Sequence, residues 1–171
     1  MNTGRLPRSS RLDAELPEPD AHLEFAQAHF DDPLIAPWHG GGPRDCHRML
    51  VAQAAQAAEN GWCMWWWRER STGALVGYTG LNRAQVDGED CVEVGWSVTP
   101  SRWGEGFAPE AARASIDSGF KHGLRRIVSF TMVSNERSRR VMEKLGMAYV
   151  RDFERADAPH VLYEIRNPSP E

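Results

Sequence analysis

Residues 92–115 read VEVGWSVTPSRWGEGFAPEAARAS, and the spacing of their apolar residues changes part-way along. Up to residue 98 apolar side chains alternate with others, which predicts a strand with one apolar face, formed by Val92, Val94, Trp96 and Val98. Further on, apolar residues recur at helical spacing, which predicts a helix with an inner stripe of Ala108, Ala112, Ile116 and Phe120. Gly104 and Gly106 lie between the two elements. The sequence therefore predicts a strand, a glycine turn and a helix in direct succession.

The same reading of apolar spacing gives the remaining elements. Before this stretch it predicts a strand at 11–16, a helix from 19 to about 30, a loop at 31–43, a helix at 44–60 and strands at 62–69 and 74–81. After it come strands at 125–132, 147–154 and 160–165 and a helix at 135–146. Turns at 71–73 and 87–88 favour an antiparallel meander of three strands. The predicted fold class is mixed α/β, with a mostly antiparallel central sheet of about seven strands flanked by four helices.

Length and composition restrict the class of protein. A chain of 171 residues suits a single domain over 1–171, with polar, proline-bearing ends at 1–9 and 167–171 that we expect to be flexible. The net charge of −4 argues against a nucleic-acid partner, and no apolar run reaches the ~20 residues of a membrane span. The N-terminus lacks the apolar core of a secretory signal. Three cysteines without paired spacing fit reduced thiols in the cytoplasm.

The glycine turn itself matches neither common phosphate-binding motif. A dinucleotide fingerprint needs a third glycine where Pro109 stands, and a P-loop needs a Gly-Lys-Ser/Thr that does not follow. Two alternatives remain: a tight turn, or an anion site formed by main-chain N–H groups at the start of a helix. Six histidines show no zinc-ligand spacing, so no metal is expected.

Further residues decide between these alternatives by their order along the chain. They are the acidic residue and glycine of EVGW, the turn WGEGFAPEA, the Asn-x-x-Ser at 135–138 and the EKLG at 143–146. Together they resemble the GNAT superfamily of acyl-CoA-dependent N-acyltransferases, and most of all its RimJ/RimL branch, whose best-known members acetylate N-termini of ribosomal proteins. The specific match spans about Cys91 to Met147. The resemblance implies the GNAT fold and N-acetyltransferase activity.

The resemblance also implies acetyl-CoA as acyl donor, with its pyrophosphate held by main-chain amides of the glycine turn. Trp103 stands where the superfamily usually has Gln or Arg, although the RimJ/RimL branch commonly carries an aromatic residue there. The strand before the turn would contact acetyl and pantetheine and supply an oxyanion donor. The predicted donor-binding residues are Ser97, Val98, Thr99, Trp103, Gly104, Glu105, Gly106, Phe107, Ala108, Asn135 and Arg140. Asn135 can also cap a helix, and Arg139 is an alternative to Arg140.

Two residues are candidates for the chemistry. Glu93 lies on the face of its strand opposite the valines, where it can act as the base for the amine or serve as a structural carboxylate. Many superfamily members use a tyrosine to protonate the leaving thiolate, but the matching residue here is Met142. Ser138 is the branch's alternative hydrogen-bond donor near the sulfur, and its other interpretation is a small packing residue. A thiol leaves tolerably well near neutral pH without a strong acid.

The amine acceptor is expected to be a protein N-terminus or a small molecule, bound by Glu93 and by Trp38 in the loop between the first two helices. The other interpretation of Trp38 is a loop anchor that packs on the core. Trp65 and Trp67 should face one way and Trp66 the other. Homodimers are common in the family. A rival function is an acyl-CoA-binding module without catalysis, and nucleic-acid binding is a third.

Overall fold

The computed structural model describes residues 6–39 and 43–168. The helices are α1 (Pro19–Asp31), α2 (Cys46–Asn60), α3 (Phe107–Lys121) and α4 (Glu136–Lys144). The strands are β1 (Leu12–Glu15), β2 (Met64–Glu69), β3 (Leu75–Val86), β4 (Glu89–Val98), β5 (Arg126–Met132), β6 (Ala148–Arg155) and β7 (Ala158–Arg166). The predicted fold class is confirmed, with seven strands in one mixed sheet and four helices among the described residues.

The strands form a single sheet in the order β1-β2-β3-β4-β5-β7-β6. Neighbours are antiparallel except for β4 and β5, because the chain crosses between these two through α3. The predicted meander is β2-β3-β4. Its second turn has positive φ at Asp87 and Gly88, as a two-residue hairpin turn requires, and it pairs Val86 with Glu89. This turn fixes the register of β3 against β4 over the length of both strands.

Helices cover the two faces of the sheet unequally. On one face α3 and α4 bury the main core, which includes Leu81, Val94, Ile116, Ile127 and Met142. On the other face α1 and α2 cover β2, β3 and part of β4. The three tryptophans alternate as predicted: Trp65 and Trp67 pack towards α3, and Trp66 packs among α1 and α2. We refer to the second side as the α1/α2 face.

Several element boundaries differ from prediction, and the longest difference comes from pairing between strands. β3 extends five residues past its predicted end because it pairs with β4 as far as the hairpin turn. β1 ends at Glu15, one residue before the predicted end of the first strand, and Leu16 is exposed. The loop at 31–43 contains a short 3-10 turn, Ala36–His39, that the spacing did not reveal. Residues 40–42 of this loop, and residues 1–5 and 169–171 of the predicted flexible ends, lie outside the described residues.

Two further features concern possible membrane spans and the state of the cysteines. Within residues 6–39 and 43–168 no helix is long and apolar enough to cross a membrane. Cys46, Cys63 and Cys91 are free thiols, in agreement with the expectation from their spacing.

Candidate active site

The two parallel strands β4 and β5 separate after one pair of residues in register. Glu93 pairs with Val128, and no later residue of β4 is in register with β5, although both strands continue. At the closed end, the Ser129 hydroxyl donates to the Val94 carbonyl at 2.9 Å. Beyond it lies a space bounded by residues 94–98 of β4 and 129–132 of β5, which we call the β4–β5 gap. Main-chain groups of β4 that point into this gap have no strand partner.

The alternation of the ladder identifies those groups. The Thr99 N–H donates to the Val76 carbonyl at 2.9 Å and so points towards β3. The Val98 carbonyl instead accepts from the Trp103 indole, and the Val94 carbonyl accepts from Ser129, so the even-numbered residues point towards the gap. Because successive residues of a strand alternate in direction, the N–H groups of Trp96 and Val98 also face the gap. Of the three predicted residues Ser97–Thr99, Val98 is therefore the one whose main-chain N–H points into the β4–β5 gap and can contact a molecule bound there.

The glycine turn presents a continuous row of free amides at one end of the gap. No described residue accepts a hydrogen bond from the N–H groups of residues 104–108, and the first helical bond in this region runs from the Glu110 N–H to the Gly106 carbonyl. Gly104 and Gly106 have φ of 83° and 82°, values that favour glycine, and Gly106 caps α3 without a side-chain bond. We call these amides the cradle. Five consecutive free N–H groups at a helix N-terminus form a site for an anion.

Side chains around the cradle hold its shape and do not enter it. The Trp103 indole Nε1 donates to the Val98 carbonyl at 2.7 Å and so ties the turn to β4. Phe107 is buried in the core, with the guanidinium groups of Arg11 and Arg102 over its ring at 4.3 and 4.8 Å. Glu105 turns its carboxylate away to Arg102, at 2.8 Å. Of the predicted donor-binding residues in this turn, Phe107 and Glu105 thus offer their main chains to an occupant.

The three arginines of α4 have different contacts with the rest of the chain. Arg140 is exposed and lies 3.4 Å from Glu136, one helical turn away. Arg139 donates to the Val133 carbonyl, and its Nε is buried without a partner. Arg137 lies over the Trp103 ring at 4.3 Å, beside the start of the cradle, and no described carboxylate pairs with it. Arg137, which is not among the predicted donor-binding residues, thus lies against Trp103, the residue immediately before the cradle.

Glu93 lies on the α1/α2 face, as the alternation predicted. It is half-buried, and no described residue donates a hydrogen bond to its carboxylate. Burial raises the pKa of Glu93 to about 7, against a smaller opposite effect of the Arg155 guanidinium. Gly95, the next residue on the same face, has the Met64 methyl group 3.6 Å from the position of a Cβ. A carboxyl group with a pKa near neutrality suits proton transfer at physiological pH.

The start of α4 contains the other predicted catalytic residue. Asn135 caps the helix, accepting from the Ser138 N–H at 3.2 Å, so its capping role is observed and its amide NH₂ remains available. Ser138 is half-buried, and its hydroxyl has no described partner. Met142 is fully buried in the main core, so nothing at that position can protonate a leaving thiolate.

A buried hydrogen-bonded group lies further along β4 on the α1/α2 face. The Ser97 hydroxyl contacts His29 Nε2 at 2.7 Å and His39 Nε2 at 3.3 Å. Burial lowers the pKa of both imidazoles to about 4, so both are neutral at physiological pH. Through His39 the group ties the Ala36–His39 turn to β4. Trp38 lies in that turn with 44% of its surface exposed.

Residues 13–148 match the family model described as Acetyltransferase (GNAT) domain. The chain belongs to the GNAT acetyltransferase family. YkkB of Bacillus subtilis (strain 168), an uncharacterized protein, is 28% identical to this acetyltransferase over 138 residues, which make up 79% of this chain and 80% of YkkB.

Solved structures share the fold of this GNAT domain. The acetyltransferase from Agrobacterium tumefaciens str. C58 superposes with a TM-score of 0.78 at 25% identity, covering 94% of this chain and 93% of that one. YncA of Salmonella typhimurium, a putative acetyltransferase solved with its cofactor acetyl-CoA, gives 0.73 at 16% identity, with 95% and 99% coverage. The ribosomal-protein-S5-alanine acetyltransferase from Vibrio fischeri gives 0.76 at 18% identity, with 94% and 96% coverage.

Several polar residues of this GNAT domain were not predicted from the sequence. They are Gln53 and Asn82 near Glu93, and His29 and His39 around Ser97. The position of Asn82 was within reach, because counting outward from the predicted 87–88 turn pairs it with Glu93. The histidines carried no such signal, since their contact depends on how α1 and the following loop pack on the sheet. Within residues 6–39 and 43–168, no three metal-ligating side chains form a cluster.

Proposed function

We propose that this GNAT acetyltransferase transfers the acetyl group of acetyl-CoA to a primary amine by direct attack within a ternary complex. The proposal is carried by the juxtaposition of two features: a row of unpartnered amides opens at the end of the β4–β5 gap, and a half-buried carboxyl group with a near-neutral pKa lies on the adjacent face. The first feature suits a phosphate-bearing donor, and the second suits the proton chemistry of an amine.

The donor fits this chain in an extended arrangement. Its pyrophosphate would accept from the cradle amides, with the Arg137 guanidinium alongside. The pantetheine chain would follow the β4–β5 gap, where Asn135 can donate to its amides. The thioester oxygen would meet the N–H of Val98, a donor that can be worth ~10²–10³ in rate. These assignments leave the side chains of Trp103, Glu105 and Phe107 in their observed structural contacts.

Proton balance assigns a role to Glu93. An ammonium acceptor must lose a proton before its nitrogen can attack, and the Glu93 carboxylate takes this proton and returns it to solvent. A second proton leaves the nitrogen as the new C–N bond forms and the C–S bond breaks, and it ends on the departing thiolate. A positioned base is typically worth ~10²–10⁴ in rate. Ser138 would donate a hydrogen bond near the sulfur while negative charge develops there.

The acceptor is a protein N-terminus or a small-molecule amine, bound on the α1/α2 face between Glu93 and Trp38. The RimJ/RimL-like assignment is supported by Trp103 in the turn and by the shared fold with the Vibrio fischeri ribosomal-protein acetyltransferase. We propose a cytoplasmic location on the basis of the free thiols. The homodimer stays a prediction from the resemblance.

The test is a panel of primary amines and short peptides, each incubated with acetyl-CoA and scored by release of free thiol. Mass spectrometry of the products should show acetylation of the amine nitrogen in at least one chemical class. Acetyl-CoA that binds without thiol release above the rate with no acceptor, across the whole panel, would overturn the proposed function.

A further inference from the structure

Glu93 has a polar neighbour directly across the sheet. Asn82 on β3 is in register with Glu93 on β4, and side chains of directly opposed residues project from the same face. Their Cβ atoms therefore lie about 5 Å apart. Neither the Glu93 carboxylate nor the Asn82 NH₂ group has a hydrogen-bond partner among the described residues.

The orientation of the Asn82 amide follows from a chain of hydrogen bonds that begins at a main-chain donor. The Met64 N–H donates to Gln53 Oε1 at 3.0 Å, and a main-chain nitrogen can only donate. Gln53 must therefore present its Nε2, which donates to Asn82 Oδ1 at 3.2 Å. With its oxygen occupied by Gln53, Asn82 turns its NH₂ group away from α2.

The direction of that NH₂ group gives Asn82 a role in the reaction, and this inference rests on the proposed function. We propose that Asn82 is a positioning residue for Glu93. Its NH₂ group is oriented by Gln53 and, together with the Glu93 carboxylate, binds a water molecule. Through this water molecule Glu93 takes the acceptor's proton. The water gives one proton to Glu93 as it receives one from the ammonium, so it is unchanged by the transfer. Asn82 supplies a donor and no charge.

The first test follows the Glu93 carboxyl group itself by carbon NMR titration of the free protein. Asn82→Ala removes a donor that favours the ionised carboxylate, so the pKa of Glu93 should rise by about one unit. The acid limb of kcat/KM should move by the same amount, while KM for acetyl-CoA stays unchanged. A Glu93 pKa within about 0.3 unit of the wild type, which is about a third of that shift, would overturn the proposal.

The second test uses two glutamines of one helix. Gln53→Glu keeps the acceptor for the Met64 N–H but removes the donor, so Asn82 should turn over and present its oxygen to Glu93, and the pKa of Glu93 should rise. Gln56 donates to the Leu81 carbonyl at 3.0 Å, beside Asn82, and has no contact with its amide. Gln56→Glu is therefore the matched control for the added charge. An equal shift in both variants would show a general field effect and contradict the proposal.

The two proposals fail in different ways. If the NMR shifts appear but Glu93→Gln leaves thiol release unchanged, Glu93 is not the base, although Asn82 does position it. If Glu93→Gln abolishes turnover and Asn82→Ala moves neither the pKa of Glu93 nor the acid limb, the base assignment stands and the role of Asn82 is wrong.

Discussion

The indole N–H of Trp103 donates to the main-chain carbonyl of Val98 at 2.7 Å, and this bond joins the cradle to β4, the strand that we propose faces the thioester. Trp103 is the residue immediately before the free amides, and Val98 is the last residue of β4. The same indole carries the Arg137 guanidinium on its ring face. An aromatic residue in place of the superfamily's polar one thus fixes the distance between the proposed pyrophosphate site and the proposed oxyanion donor.

The cradle can be tested with two glycines of nearly equal conformation. Gly104 and Gly123 have φ of 83° and 88°, and a Cβ at either position meets no atom within 4 Å. Alanine at each should cost about 1–2 kcal/mol of stability from left-handed strain. Only Gly104→Ala should raise the dissociation constant of acetyl-CoA, by about tenfold or more, measured by calorimetry. Equal affinity in the two variants would place the pyrophosphate elsewhere.

Arg137 and Arg140 form a second matched pair on α4. We expect Arg137→Ala to weaken acetyl-CoA binding about three- to tenfold, because it removes a cation next to the cradle, and to make binding less sensitive to salt. Arg140→Ala removes the same charge from a site already paired with Glu136 and should change the affinity less than twofold (within the 0–1 kcal/mol of exposed charges). The reverse order of effects would return the phosphate contact to the residue predicted from the sequence.

The hydrogen bonds of Ser97 with His29 and His39 should affect binding of the amine acceptor and leave binding of acetyl-CoA unchanged. Ser97→Ala removes the hydroxyl shared by His29 and His39, which should cost about 1–3 kcal/mol of unfolding free energy and loosen the turn that carries Trp38. KM for the acceptor should therefore rise severalfold while KM for acetyl-CoA stays constant. Ser115, which is also buried but is bonded to the Ala111 carbonyl within α3, provides the control substitution to alanine. A change in KM for acetyl-CoA alone would contradict this assignment.

The ionised Glu93 carboxylate should lower the unfolding free energy of the protein at and above pH 7, where it can act as a base. Its folded pKa is raised from 4.5 to about 7, so the folded state holds the proton longer, and stability is lost as pH rises from 4.5 to 7. Glu93→Gln should therefore raise the unfolding free energy by about 1–3 kcal/mol at pH 8 and by much less at pH 4.5. Denaturant unfolding at both pH values measures this. A variant that is less stable at pH 8 would indicate a structural ion pair for Glu93.

Local pattern predicted most of the fold, and the reasons for its failures are physical. Strand alternation placed Glu93 opposite Val92 and Val94, and the glycine turn was recognised as a possible anion site, because both depend on neighbours in the chain. The His29–Ser97–His39 contact and the choice of Arg137 over Arg140 depend on how helices pack on the sheet. No spacing along the sequence encodes that packing. Asn82 is intermediate: its partner follows from the hairpin register, but the orientation of its amide requires Gln53 on α2.

The most direct test of Glu93 as the base is the pH dependence of thiol release by the wild type and by Glu93→Gln, measured with saturating acetyl-CoA and a varied concentration of an acceptor from the amine panel. For the wild type, kcat/KM should rise with pH and level off above about 7, because the carboxylate must be ionised to accept the proton. Glu93→Gln should lose this limb and about 10²–10⁴ of the rate while binding acetyl-CoA normally. A variant that keeps both the rate and the limb would contradict the assignment of Glu93 as the base.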